Sequence, residues 1–147
     1  MEIQNIDYRE MADEYLSLRI GLKHNPNYRM LIDFSHGELC VLNYLFTHEG
    51  TAYPKELSKD MHVSSARIAA LLNQMVKKGW LIRSADTADN RKVLITLTES
   101  GRAEILQKRR RVLEITTHML QSLGPEDAEA CLRIQRKLSV KGKSQEI

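Results

Sequence analysis

Cysteine is scarce in this chain: Cys40 and Cys131 are the only two in 147 residues. That excludes a disulfide-stapled scaffold and a four-cysteine zinc site. Long apolar runs are missing as well. The longest uninterrupted one, Ile68 to Leu72, spans five residues, whereas a membrane-crossing helix needs roughly 20. No basic stretch leads into an apolar one at Met1-Glu2-Ile3-Gln4-Asn5, so no secretory signal, no membrane partner and a cytoplasmic location are expected. A nucleophile–base pair, a phosphate-cradling glycine loop and a metal-ligand array are all absent from the pattern. The expectation is therefore a protein that is not an enzyme and takes no cofactor. What is present is enough for one folded domain: 42% hydrophobic and 28% charged residues, too apolar for a disordered tail.

The net charge of +3 hides an uneven distribution. Residues 1–49 carry −4, residues 50–111 carry +7, and residues 112–147 are neutral. A basic focus of this kind favours a polyanion, with nucleic acid ahead of a membrane surface.

Apolar spacing then orders the chain. Tyr8, Met11, Ala12, Tyr15, Leu18 and Leu22 recur at helical intervals, which predicts a helix from Asp7 to Lys23 that Pro26 ends. Asn25-Pro26-Asn27-Tyr28 reads as a turn. A second helix is expected from Ser35, where Ser35 and Glu38 have the spacing of a capping box, and it closes at Glu49-Gly50-Thr51. Its residues Leu39 to Phe46 are apolar almost all round, as in a helix buried mid-fold. Tyr53 to Met61 is a short helix with Pro54 in its first turn. After His62-Val63, Ser64 caps a helix to Lys78, and Gly79 stops it. Two helices joined this tightly form a helix-turn-helix, about residues 53–78. Trp80-Leu81-Ile82 and the β-branched Val93 to Leu97 form a hairpin with a long polar tip. Thr98 caps a helix from Glu99 to Ser122, where Leu106, Leu113 and Leu120 repeat every seven residues as a seam for helix-on-helix packing, including packing between subunits. Gly124-Pro125 breaks it, a last helix runs from Glu126 to Val140, and the tail from Lys141 is expected to fray.

The fold class that follows is mainly α with a small β-hairpin wing: a winged helix-turn-helix with flanking dimerisation helices. On the helix after Ser64, Ile68, Leu71, Leu72, Met75 and Val76 face inward. Ser64, Ser65, Ala66, Ala69 and Ala70 leave the outer face slim enough to approach a major groove. There Arg67 suits guanine, and Asn73 or Gln74 suits adenine. Lys55, at the start of the preceding helix, is placed for a phosphate. Arg91 and Lys92 project from the hairpin tip, where an arginine suits a narrow minor groove. Asp89, two residues earlier, is expected to orient Arg91 or another Arg by an ion pair.

Several strings resemble the MarR family of winged-helix transcriptional regulators. They are Glu56-Leu57-Ser58 through Val63-Ser64-Ser65, then Met75-Val76-Lys77-Lys78-Gly79-Trp80-Leu81, then Asp89-Asn90-Arg91, and Leu97-Thr98-Glu99-Ser100-Gly101. The similarity covers essentially the whole chain as one domain, with residues 35–100 as the DNA-binding part and residues 1–34 and 101–147 as dimerisation helices. It implies a homodimer on double-stranded DNA with a pseudo-palindromic operator, the helix after Ser64 in the major groove and Arg91 in the minor groove. The chain departs from the family at Ala85-Asp86-Thr87-Ala88, where a proline or another basic residue is common.

The family answers to small phenolic compounds, metals or oxidants. His24, Tyr28, Phe34, His36 and Tyr44 cluster in sequence near the junction of the first two predicted helices and are the candidate small-molecule effector cleft. The five histidines, at 24, 36, 48, 62 and 118, lack metal-ligand spacing, so no metal site is expected. Cys40 and Cys131 read as structural thiols. The reading is a homodimeric repressor released by a small ligand. Its rivals are a winged helix used for protein–protein contact and a metal- or thiol-responsive DNA-binding sensor.

Overall fold

The computed structural model describes residues 6–141; the opening Met1 to Asn5 and the tail expected to fray beyond Lys141 lie outside them. Among the described residues, seven helices and three strands follow one another: α1 (Tyr8–Leu22), α2 (Pro26–Asp33), α3 (Gly37–Thr47), β1 (Thr51–Ala52), α4 (Pro54–Asp60), α5 (Ser65–Lys77), β2 (Leu81–Ala85), β3 (Val93–Leu97), α6 (Glu99–Leu123) and α7 (Pro125–Lys141). The chain divides into two compact units, one ending at Lys108 and one beginning at Arg109, so that α6 contributes to both.

The first unit holds the core. Val41, Leu42 and Leu45 of α3 meet Leu57 of α4, Ile68, Leu72 and Met75 of α5, Leu81 of β2, Ile95 and Leu97 of β3, and Ile105 of α6. The nearly all-round apolar α3 is central, as its composition requires. The strands form an antiparallel sheet in the order β1-β3-β2, with Leu81 opposite Leu97, Ala85 opposite Val93 and Thr51 opposite Thr96. β1 is a pairing that the sequence reading did not include. Two residues are too few to show the alternation that marks a strand.

Two expectations near α2 need correction. Asn25 to Tyr28 is the start of a helix, not a free turn. The Asn25 side-chain carbonyl accepts from the backbone N–H groups of Asn27 and Tyr28 (3.0 and 3.4 Å). Pro26 takes the first helical position, where its missing N–H costs nothing. The capping box of Ser35 and Glu38 does not form. The Ser35 hydroxyl donates to the Ile32 carbonyl (2.6 Å), and Glu38 reaches Lys78. α3 starts after His36 with no side-chain cap, and Gly37 bends the chain into it at φ +67°.

The junction of α5, the hairpin and α6 is the tightest point of the unit. The Thr98 hydroxyl donates to the Gly79 carbonyl (2.6 Å) and accepts from the Gly101 N–H (3.0 Å), while the Thr98 N–H donates to the Trp80 carbonyl (3.0 Å). Gly101 presses its α-carbon against that same carbonyl. A Cβ there would stand 2.2 Å from the Trp80 oxygen and 2.8 Å from a Leu97 methyl. Gly79 is a glycine for another reason: it sits in open space at φ +76° and ends α5 in the left-handed conformation.

The second unit is the remainder of α6, a one-residue break at Gly124 (φ +78°), and α7. Ion pairs Arg111–Glu114 (3.7 Å) and Arg136–Glu129 (3.4 Å) lie on its surface. It contains no buried side chain among the described residues.

The two glycines separate in a stability measurement. Gly101→Ala is expected to cost about 3 kcal/mol, because a backbone carbonyl cannot rotate away from the new methyl. Gly79→Ala is expected to cost only about 1–2 kcal/mol, from its backbone conformation. Chemical denaturation of both variants checks this; equal losses would contradict the packing described.

Candidate nucleic-acid interface

α5 is positioned by its buried stripe. Ile68, Leu72 and Met75 are fully enclosed and Leu71 and Val76 half-buried, so Ser65, Arg67, Ala69, Ala70, Asn73, Gln74 and Lys77 all face solvent. The expected inward and outward faces are thus the observed ones. Ser64 accepts the Arg67 N–H on its hydroxyl (3.2 Å) and so fixes the first turn of α5. The connection from α4 is tight. Val63 donates its N–H to the Ser58 carbonyl (3.1 Å), the Ser58 hydroxyl donates to the Val63 carbonyl (2.6 Å), and His62 takes φ +52°. At its other end α5 is tied to α3. Lys78 pairs with Glu38 at 2.5 Å and lies over the Trp80 ring at 4.6 Å.

Lys55 is exposed on α4, and Arg91 and Lys92 are exposed on the wing. The wing turn is ordered by carboxylates. Asp89 accepts the backbone N–H of Arg91 (3.1 Å), and Asp86 accepts that of Ala88 (3.2 Å). Asp89 therefore shapes the wing through the backbone; the side-chain ion pair with Arg91 that the sequence suggested is not formed. Tyr53, at the start of α4, donates its hydroxyl to Asp86, and Lys92 stands 5.6 Å from the centre of the Tyr53 ring. That hydrogen bond pushes the Tyr53 phenol up from its ordinary value and holds the Asp86 carboxyl below its own. The sequence offered no signal for this pairing, because 33 residues separate the partners.

Two of the candidate effector residues, His24 and Tyr44, line different pockets. His24 lines a pocket of about 300 Å³ with Lys23, Pro26, Arg29, Met30 and Asp33. Tyr28 accepts from Arg19 of α1 (2.7 Å), Phe34 packs on the core, and His36 is exposed at the start of α3. Tyr44 lines a different pocket, of about 640 Å³, with Glu49, Glu56, Lys59 and Asp60. Its ring stacks on His48 at 3.9 Å, and its hydroxyl donates to Asp60 (2.7 Å). The hydrogen bond to Asp60, with burial and the nearby Glu56 charge adding to it, pushes the Tyr44 phenol up to about 12. Its contribution to stability is complete below the ordinary phenol value near 10 and fades as pH rises to about 12. Cys40 is half-buried, and that burial pushes its thiol up, away from the thiolate a sensor needs. Cys131 is half-buried on α7.

The family model described as "Transcriptional regulator SarA/Rot" matches residues 29–108. The chain belongs to this family. The HTH-type transcriptional regulator YwhA of Bacillus subtilis (strain 168) is 29% identical over 99 residues, 67% of this chain and 70% of that one. The HTH-type transcriptional repressor YetL of the same organism is 35% identical over 74 residues, half of this chain and 44% of that one. Among solved structures, a MarR family protein from Bacillus stearothermophilus superposes with a TM-score of 0.72 at 23% identity, covering 95% of this chain and 99% of that chain. MarR of E. coli in its apo form gives 0.60 at 24% identity, covering 69% and 74%. The fold is the winged helix of these MarR structures, and the protein is a DNA-binding transcriptional regulator of the SarA/Rot family. No helix among the described residues is long and apolar enough to cross a membrane.

Removing the cap tests how α5 is held. Ser64→Ala is expected to lower unfolding free energy by about 1 kcal/mol, read by thermal or chemical denaturation. An unchanged midpoint would mean that the first turn of α5 is fixed by packing alone.

Proposed function

We propose that the protein is a homodimeric repressor that binds a pseudo-palindromic duplex and leaves it when a small aromatic ligand binds. The observation that carries the DNA reading is the joint exposure of α5's slim first turns and of Arg91 and Lys92, all within the stretch 50–111 that carries +7. α5 enters the major groove, with Ser64 and Ser65 near the backbone, Arg67 on guanine, and Asn73 or Gln74 on adenine. Lys55 and Lys92 meet phosphates, and Arg91 enters the flanking minor groove.

Dimerisation is supported by what lacks cover. α1 has no buried residue, and its Met11, Tyr15 and Leu18 are 56–62% exposed. In the second unit Leu113, Ile134, Leu138 and Val140 are 52–70% exposed. Each such side chain gains about 1.5–3 kcal/mol on full burial, and exposed apolar surface of this extent marks an interface. Repression is supported by YetL, which carries that description. Release by a ligand is supported by two structural neighbours: the organohalide-sensing regulator RdhR, solved with 2,4-dichlorophenol bound, and BpsR of Bordetella bronchiseptica, whose DNA binding is regulated by 6-hydroxynicotinic acid. The protein acts in the cytoplasm, where its DNA is.

Selecting bound duplexes from a randomised pool tests this function. The expected product is an inverted repeat retained by a particle of twice the 16.9 kDa chain mass in light scattering. A stable monomer, or no enriched sequence, would overturn it.

Two substitutions divide the contacts on the selected duplex. Arg67→Ala is expected to cost about 1–3 kcal/mol and relax preference at one position. Lys55→Ala is expected to weaken all sequences about equally and reduce the salt slope by about one unit. A changed base preference in Lys55→Ala would contradict the docking.

Ser64→Asp gives a third expected outcome. Aspartate is as good a helix cap as serine, so the melting temperature stays near wild type. A new negative charge beside phosphate nonetheless lowers DNA affinity at least about tenfold. Full affinity at unchanged stability would place the start of α5 away from the duplex.

A further inference from the structure

The outer half of the wing has almost nothing apolar to rest on. Of β2, only Leu81 is buried, and Ile82 to Ala85 are exposed; on β3 the buried positions are Ile95 and Leu97, at the end away from the tip. Beyond Leu94 toward the tip, hydrophobic packing does not fix the angle at which the hairpin leaves the body. One side chain from the body does reach it. Tyr53 is anchored at its backbone, where its N–H donates to the Glu56 carboxylate (2.9 Å), and at its far end its hydroxyl donates to Asp86. Asp86 is in turn fixed in the hairpin, donating its N–H to the Lys92 carbonyl (2.9 Å). Lys92 lies over the Tyr53 ring. Tyr53 is half-buried and lines pockets of about 640 and 540 Å³.

We propose that Tyr53 and Asp86 form a latch that sets the angle of the wing relative to the helix-turn-helix, and so are positioning residues for the minor-groove contact of Arg91. The chemistry suits the task. A phenol–carboxylate hydrogen bond is charge-assisted and directional, and it joins the first residue before α4 to the first residue after β2. The wing tip and α5 must reach neighbouring grooves together, so a wing free to swing loses affinity by having to be ordered on binding. The latch uses Asp86, at the segment where this chain departs from the proline or basic residue common in MarR proteins. It rests on the reading that the wing contacts DNA.

The test uses the full-length protein and duplexes selected from a randomised pool by wild type, remade with A·T-rich or G·C-rich flanks. Tyr53→Phe removes only the hydroxyl and leaves the ring, the charge and the fold. It is expected to lower affinity about fivefold on A·T-rich flanks, the worth of one hydrogen bond, with little change on G·C-rich flanks and a melting temperature lowered by no more than about 4 °C. Asp86→Ala removes a negative charge, which by itself strengthens phosphate attraction, so a loss there is a stringent sign. The double variant is expected to bind no worse than Asp86→Ala alone, since that change already removes the Tyr53 hydrogen bond along with the one from Ala88. Arg91→Ala is expected to cost less in the Tyr53→Phe background than in wild type. Wild-type affinity in Tyr53→Phe, or equal losses on both flanks with the full Arg91→Ala cost retained, would overturn the latch. If Arg91→Ala costs nothing in wild type, the wing reading itself falls and takes the latch with it.

Discussion

The contact between Gly101 and the Trp80 carbonyl is the constraint on which the DNA-binding unit depends. α6 approaches the end of α5 so closely that a Cβ at Gly101 would stand 2.2 Å from that oxygen. Thr98 completes the joint by bonding to Gly79 and by taking the Gly101 N–H. Three features converge there: the left-handed stop of α5, the first residues of the hairpin, and the start of the long helix. The Leu97-Thr98-x-x-Gly101 string is therefore a packing device. Threonine supplies a hydroxyl that donates and accepts at once, and glycine supplies the absence of a side chain. The inclination of α5 and the root of the wing are set at this point, before any DNA contact is considered.

From that joint the unit loosens outward. The core runs from Val41 to Ile105 and draws on every element between α3 and α6. The wing tip and the first helix lie beyond it. A hairpin whose outer half is exposed has to be held by polar contacts, because apolar packing does not reach it. The carboxylates of Asp86 and Asp89 fit that need: each accepts backbone N–H groups of the turn. They order the loop that carries Arg91 and Lys92 at the cost of local negative charge.

The functional core of the fold was legible in the amino-acid sequence because its signals are local. Ser64 before an amphipathic run, Gly79 after it, and the β-branched Val93 to Leu97 each announce an element by neighbours within a few residues. The α2 helix was missed because Pro26 is equally a breaker of α1 and a first-turn residue of α2; only the Asn25 cap decides between them. The Ser35 capping box failed in the opposite way. The spacing was right, but Glu38 is drawn to Lys78, 40 residues on. The candidate effector residues were grouped by nearness in sequence, which gave no sign that Tyr44 bonds to Asp60 and stacks on His48. The Tyr53–Asp86 pair was invisible for the same reason. Contacts between side chains far apart in sequence are settled by tertiary packing, and periodicity does not encode them.

The central claim is that α5 and the wing of each of two copies engage the duplex together. Hydroxyl-radical footprinting of the full-length protein on a selected duplex tests it most directly. Two recognition helices in successive major grooves predict protections related by a twofold axis and centred about 10 base pairs apart. An outer minor-groove protection on each flank should disappear in Arg91→Ala. A single asymmetric footprint, or outer protections that persist without Arg91, would contradict the account.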